Sequence, residues 1–462
     1  MSVLKNEKIV ENIKTASLVV LLLFTILLLY LLWGGRAFPS LGGNNAPQTE
    51  AINAAEILQP DRIEMCFGGG SYTVTDNKFG EMIDCFKALS ASRDLSVEEI
   101  SKERYTDVMR LPSIKAVFNY YVPFNAMCEA NGIDRIPGAD ALDAVSELGY
   151  AAAYDDRFYV FDNKTDKYYR IIGNRNSRFE VLKNEIIEAE KDSIDYFPLS
   201  MIVGGVENDT LCPISFNSDI YNIAYYPEDF SSQPEKTNAL IRGFFSDNFD
   251  FVRRIEQESG TLVYMYGYGR IVVTAHNNGV LEFKREEDER TAQQIKYLDA
   301  LNLSNSFIAA HGAFTAESGE TYIPYIKEVI ADPDGKKGFR FIFGIKAGGV
   351  RVYYEGGAPV TIDVTGGRVS YFKRGLISID QNEPGDRNGR EVFSAINVLA
   401  GNYEYMGEPS IEQLVEKVTG FDCGYVKNKR NSNNLTAAWV VFLGNREFYF
   451  GLDDGKPVGG AI

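Results

Sequence analysis

Ser370-Tyr371-Phe372-Lys373 matches the S-x-x-K pattern of penicillin-binding serine enzymes. That chemistry needs the hydroxyl and the amine one helical turn apart, so that the lysine can take the serine proton. The segment alternates as a strand instead, which points residues three apart to opposite faces. No K-T-G or K-S-G completes the set. Gly68-Gly69-Gly70 resembles a phosphate-cradling loop, but no Lys-Ser/Thr follows and no helix opens after it. A turn between two strands is the expectation there. The two histidines, His276 beside an Asn-Gly turn and His311 at the end of a helix-like stretch, lack acidic or cysteine neighbours at ligand spacing. Both read as structural or solvent-facing.

Five cysteines (Cys66, Cys85, Cys128, Cys212, Cys423) are scattered without C-x-x-C spacing. An odd, sparse set is neither a zinc site nor a disulfide framework, and small buried apolar residues is the better reading. Whether Cys66 and Cys85 pair stays open. The acidic run from Glu286 to Glu289 suits the start of a helix, where the dipole favours negative charge. The expectation is no catalytic residue, no metal ligand and no cofactor. An acidic chain without a catalytic set points to binding or regulation rather than catalysis.

The elements that must position any working surface begin with Thr15–Trp33, an uncharged, almost wholly apolar run. As a helix it spans roughly 28 Å, close to the hydrocarbon thickness of a bilayer. Lys5, Lys8 and Lys14 precede it, so the N-terminus is expected in the cytoplasm and the C-terminal bulk outside, single-pass at the cell membrane. The run exceeds the usual signal-peptide core of about 7–15 residues and no clear small-x-small cleavage site follows, which favours an uncleaved signal anchor. Ser17, Leu21, Phe24, Thr25, Leu28 and Leu32 share one face of this helix. Ser17 and Thr25 are the small polar residues that let helices approach and hydrogen-bond in lipid, so this face is the candidate partner-binding site. A uniform lipid-facing tether is the rival reading. The net charge of −17 argues against nucleic acid and against docking on anionic headgroups.

The sequence divides into a cytoplasmic tail (1–14), the anchor (15–33), a Gly/Pro/Asn-rich stalk (34–49) and exported α+β domains at 50–195, 196–300 and 301–462. Strand-like alternation at 62–67 precedes residues 73–92, read as a short strand, an Asp76 or Asn77 cap and an amphipathic helix with Phe79, Met82, Ile83, Phe86 and Leu89 on one face. Residues 96–109 predict another helix, and 182–191 and 237–245 two more. Asn277-Asn278-Gly279 between alternating runs is the strongest hairpin signal. Residues 286–299 predict a long helix. After residue 320 strands dominate, interrupted by helices at 390–400, closed by Gly401, and at 410–419, where Ser410 and Gln413 form a capping box. The fold class expected is α+β: one transmembrane helix, then two or three domains with antiparallel sheets.

Four segments carry a family resemblance: LQPDRIEMCFGGGSYTVTDN (58–77), FVRRIEQESGTLVYMYGYGRIVVTAHNNGVLEF (251–283), GFRFIFGIKAGGVRVYYEGGAPVTIDVTGGRVSYFKR (338–374) and LTAAWVVFLGNREFYFGLDDGKPV (435–458). Together with the anchor they resemble the YycH family, with a C-terminal part also similar to YycI. The tail is longer than the family's, and residues 96–235 match it loosely. The resemblance implies a non-enzymatic regulator that sits beside the membrane-bound sensor histidine kinase of the WalK/WalR (YycG/YycF) two-component system, which governs cell-wall metabolism in Gram-positive bacteria. It also implies a YycI-like partner and contacts through transmembrane helices. The alternative class is an exported binding module for a cell-wall fragment or peptide.

Overall fold

A computed structural model of the chain describes residues 51–192, 196–214, 220–230, 234–286, 294–316, 318–379, 392–427 and 434–459, and Leu21 by itself. Residues 1–47 form one unit and 48–462 another. In the first, Leu21 is helical and exposed. The rest of Thr15–Trp33, including Ser17, Phe24, Thr25, Leu28 and Leu32, lies outside the described residues. So does most of the acidic run, Glu287 to Glu289. No helix among the described residues is long and apolar enough to cross a membrane.

The second unit is built on two large sheets. The first contains β1 (Arg62–Gly68), β2 (Ser71–Thr75), β3 (Ser96–Ile100), β4 (Ser113–Val117), β5 (Glu147–Ala151), β6 (Arg157–Asp162), β7 (Lys167–Ile172), β8 (Tyr196–Pro198) and β9 (Leu211–Pro213). Their order is β3-β7-β6-β5-β4-β1-β2-β8-β9, antiparallel at every pairing. Helix α1 (Phe79–Ser90) buries Phe79, Met82, Ile83, Phe86 and Leu89 against one face, as the 3.6-residue period requires. Its cap differs from the sequence expectation. Lys78 occupies the cap position without a side-chain bond, and the Asn77 amide oxygen instead accepts the Thr75 hydroxyl at 2.9 Å. Residues 96–109 are not one helix. Ser96–Ile100 pairs with β7, where Glu98 meets Arg170 and Glu99 meets Lys167, and α2 (Lys102–Met109) starts only after Ser101 caps it. Helix α2 lies on the opposite face from α1, with Tyr105, Val108 and Met109 packed on Ala151 and Tyr159. The helix expected at 182–191 is α3 (Arg178–Asp192), longer by one turn at its start.

The second sheet contains β10 (Ile223–Pro227), β11 (Arg253–Glu256), β12 (Leu262–Tyr266), β13 (Ile271–Ala275), β14 (Leu281–Arg285), β15 (Ile323–Ala331), β16 (Gly338–Ala347), β17 (Val350–Tyr354), β18 (Val360–Thr365), β19 (Arg368–Arg374), β20 (Ile377–Ile379), β21 (Val418–Lys427), β22 (Asn434–Leu443) and β23 (Arg446–Gly451). The Asn-Asn-Gly segment is the β13–β14 turn, with Gly279 at φ 80 and Ala275 opposite Leu281. Helices α4 (Pro234–Phe245) and α5 (Tyr297–Ala310) cover this part. Helix α5 begins eleven residues later than expected, and Glu286 lies ahead of it in irregular structure. Strand β17 joins β21 in parallel, and this brings in α6 (Ala395–Asn402), α7 (Ile411–Lys417) and the Trp439 core. Gly401 is inside α6 rather than past its end. Ser410 caps α7 by accepting the Gln413 backbone N–H.

Between the sheets, Arg351 pairs with Asp61 at 2.7 Å and Asp422 at 3.2 Å, and Lys346 pairs with Asp76 at 2.6 Å. Residues 199–213 belong to both parts. Their strand β9 closes the first sheet, while Leu199, Val206 and Cys212 are buried in the same core as Trp439. The Asn208 amide also donates to the carbonyls of Val415 (2.6 Å) and Val418 (2.8 Å).

Candidate functional site

A lone charge inside an apolar strand is costly, and three such charges meet on the face of the first sheet that carries α2. Glu64 lies in Arg-Ile-Glu-Met-Cys, Lys115 in Ser-Ile-Lys-Ala-Val, and Glu147 opens Glu-Leu-Gly-Tyr-Ala. Glu64 and Lys115 are direct partners across β1 and β4. The Lys115 ammonium sits 3.0 Å from Glu64 and 3.2 Å from Glu147. Arg62 holds the other Glu64 oxygen at 2.7 Å, and the Tyr105 hydroxyl donates to Glu147 at 2.6 Å. Glu64, Lys115 and Glu147 floor a cleft of about 210 Å³ walled by α2 on one side and by Asp209 and Leu211 on the other. Cys66, Tyr72, Ser113, Phe161 and Tyr168 complete the lining, and Arg110 of the α2 end pairs with Asp209 at 2.9 Å.

Burial works against charge in this network, yet the pairing overcomes it. Burial alone would raise the Glu64 carboxyl, but Lys115 and Arg62 bring it down to about 2. Burial likewise opposes the Lys115 ammonium, and Glu147 with Glu64 lifts its pKa above the ordinary lysine range. Burial and the Glu147 charge push the Tyr105 phenol far up. Glu64, Lys115 and Tyr105 are thus locked in their ordinary protonation states, with none poised to exchange a proton near neutrality. The cluster is built to hold charge in place.

A second cleft, of about 710 Å³, lies on the other sheet and is lined by Tyr268, Lys284, Arg340, Asp363, Ser370 and Tyr371 among others. Arg340 is held by Asp363 (2.7 Å) and Asp334 (3.0 Å). Further along that sheet, the Lys427 ammonium lies 5.4 Å from the ring of Tyr225 and 4.9 Å from that of Tyr354. No carboxylate pairs with it among the described residues, and burial lowers its pKa to about 8.

Of the residues singled out by sequence, Cys66 lines the first cleft and Ser370 the second, and the others fall elsewhere. Ser370 and Lys373 are on β19; Ser370 is buried and bonds to Thr365 at 2.7 Å, so it faces no amine. Gly68, Gly69 and Gly70 form the β1–β2 turn, all at positive φ. The His311 ring is sandwiched between Phe244 (4.0 Å) and Phe307 (4.1 Å), with Nδ1 on the Phe307 carbonyl. Half-exposed His276 stands 3.8 Å from Glu282. Among the described residues no disulfide forms, and Cys66 and Cys85 are not bonded to each other. Among the described residues no group of His, Cys, Asp and Glu is arranged to hold a metal ion.

No family model matches the chain, and no curated protein matches it in sequence. In fold it is similar to YycH from Bacillus subtilis, whose crystal structure aligns over 87% of this chain and 98% of that one, with a TM-score of 0.58 and 11% identity. The C-terminal domain of YpeB from Bacillus megaterium aligns over 48% of this chain and 95% of its own at 14% identity, with a TM-score of 0.27, too low to argue from. The class defined is an α+β protein with large, mostly antiparallel sheets and a YycH-like fold. At 11% identity the likeness is one of fold.

Proposed function

We propose that the chain is a membrane-anchored, non-enzymatic regulator of a WalK-type sensor histidine kinase controlling cell-wall metabolism. The observation that carries the reading is the YycH-like fold across 87% of the chain, joined to a single apolar run ahead of it. The run from Thr15 to Trp33 spans the membrane with the N-terminus in the cytoplasm and the sheets outside. Its face of Ser17, Leu21, Phe24, Thr25, Leu28 and Leu32 meets the kinase helix, and a YycI-like protein completes the complex. The locked protonation states in the first-sheet cleft support a binding rather than a catalytic role. Replacing residues 15–33 with an unrelated apolar helix tests this. Kinase-dependent transcription is expected to change while the protein stays in the membrane; unchanged transcription refutes the helix contact. Co-purification of the kinase with the native anchor, and its loss with the exchanged one, is the companion result.

The second reading, an exported binding module for a cell-wall fragment or peptide, is favoured by the aromatic-walled cleft on the first sheet. The two readings are compatible, since a regulator needs something to sense.

A further inference from the structure

We infer that the cleft on the first sheet is a binding site for a neutral saccharide, about one ring in size. This rests on the geometry of the cleft and not on the kinase reading. Charge is the first argument. Glu64 and Glu147 are answered by Lys115 and Arg62, and Asp209 by Arg110, so the site presents no unpaired charge to an ionic ligand. An amino acid or a phosphate entering it would have to break a pair that already exists, leaving a buried charge uncompensated.

Hydrogen-bonding capacity is the second argument. A carboxylate has about four lone-pair directions, and Glu64 and Glu147 each spend two on the partners named above. Lys115 spends two of its three N–H groups on those carboxylates. The floor therefore offers acceptors beside a donor, the pattern that vicinal hydroxyls satisfy. Those acceptors are also fixed in place, since ion pairs from several strands hold them before any ligand arrives.

Ring surface is the third argument. Tyr72, Tyr105, Phe161 and Tyr168 line the same space, with Phe161 and Tyr168 stacked at 4.5 Å and Tyr105 at 5.0 Å from Tyr168. A pyranose ring is apolar on its C–H faces and polar at its edge, so it suits aromatic walls over a polar floor. At about 210 Å³ the space is small for a drug-sized ligand and adequate for one ring with its water. Asp209 and Leu211 place the occupant against the 199–213 segment, whose far side packs in the Trp439 core.

The test is saturation-transfer NMR on the full chain in lipid nanodiscs. The probes are glucose and N-acetylglucosamine, with glutamate and lysine as charged comparators. At least one neutral sugar is expected to bind, roughly tenfold more weakly after Glu147→Gln or Tyr72→Phe and unchanged after Lys284→Gln. Should Glu147→Gln unfold the protein, Tyr72→Phe decides, because it deletes one phenol oxygen. The inference is overturned if no neutral sugar binds, if glutamate or lysine binds instead, or if binding ignores both cleft variants. The assay contains no kinase, so its failure and a failure of the kinase reading are distinguishable.

Discussion

Lys115 and Lys427 are both half-buried lysines with opposite surroundings, and each sets a measurable dependence on pH. Lys115 sits between two carboxylates, so Lys115→Met leaves Glu64 and Glu147 short of a partner and should cost about 3–5 kcal/mol in chemical denaturation. Glu64 is held down to about 2 from an ordinary value near 4.5, so the folded state binds fewer protons than the unfolded one between those limits. Its contribution is complete above pH 4.5 and drains away as pH falls toward 2; in Lys115→Met that acid-sensitive increment should shrink. Lys427 works in reverse. With its pKa lowered to about 8 from 10.5, it destabilises the fold fully below pH 8, and the penalty fades as pH rises to 10.5. Lys427→Met should therefore stabilise the protein at pH 7, by up to about 3 kcal/mol, with the gain vanishing near pH 10 in paired melts. The signal for these sites was present in the sequence as single charges inside apolar strands. What no spacing rule could supply is that Glu64, Lys115 and Glu147, far apart along the chain, share one face of one sheet.

Among the elements, the β13–β14 hairpin was the most legible, because a tight turn is a local event. Its constraint is nonetheless tertiary. A Cβ on Gly279 would lie 2.6 Å from the Glu228 carbonyl oxygen, and the residue already needs φ 80. Gly279→Ala should cost more than 1 kcal/mol, whereas Gly269→Ala, at φ 93 with open space around it, should cost less in the same denaturation series. The misreading at 96–109 has a physical source. Val97, Ile100, Tyr105, Val108 and Met109 have near-helical spacing, yet β7 offered Glu98 and Glu99 two basic partners and made a strand of the first five residues. The delayed start of α5 shows the same limit: dipole-friendly acids suit a helix start without compelling one. Serine caps fared better, since Ser410 accepts the N–H expected of it.

For the whole molecule, the α+β class was readable from alternation and turns, but the joining of two sheets was not. Arg351 is the main polar tie: it bonds Asp61 ahead of β1 and Asp422 of β21, and lies 4.8 Å above the Tyr325 ring. Burial opposes its charge, but the two aspartates hold its pKa well above the ordinary value. We expect the wild-type protein to melt in one calorimetric transition. Arg351→Ala combined with Lys346→Ala should split it into two, with a loss of about 3 kcal/mol that comes mainly from Asp61 left without Arg351. A single unsplit transition in the double variant would show that the shared apolar core alone couples the sheets.

The segment 199–213 has a consequence for how the protein is made. It finishes the first sheet, yet its Leu199, Val206 and Cys212 are roofed by residues near the far end of the chain, Trp439 and Phe450 among them. During synthesis from the N-terminus, the first sheet is therefore complete in sequence long before its last strand has a covered side. Until the ribosome has delivered some 240 further residues, an apolar strip stays bare. A chaperone hold during biogenesis, released only by the final strands, follows from that geometry, and chains stopped before residue 435 should be the ones that proteases find first.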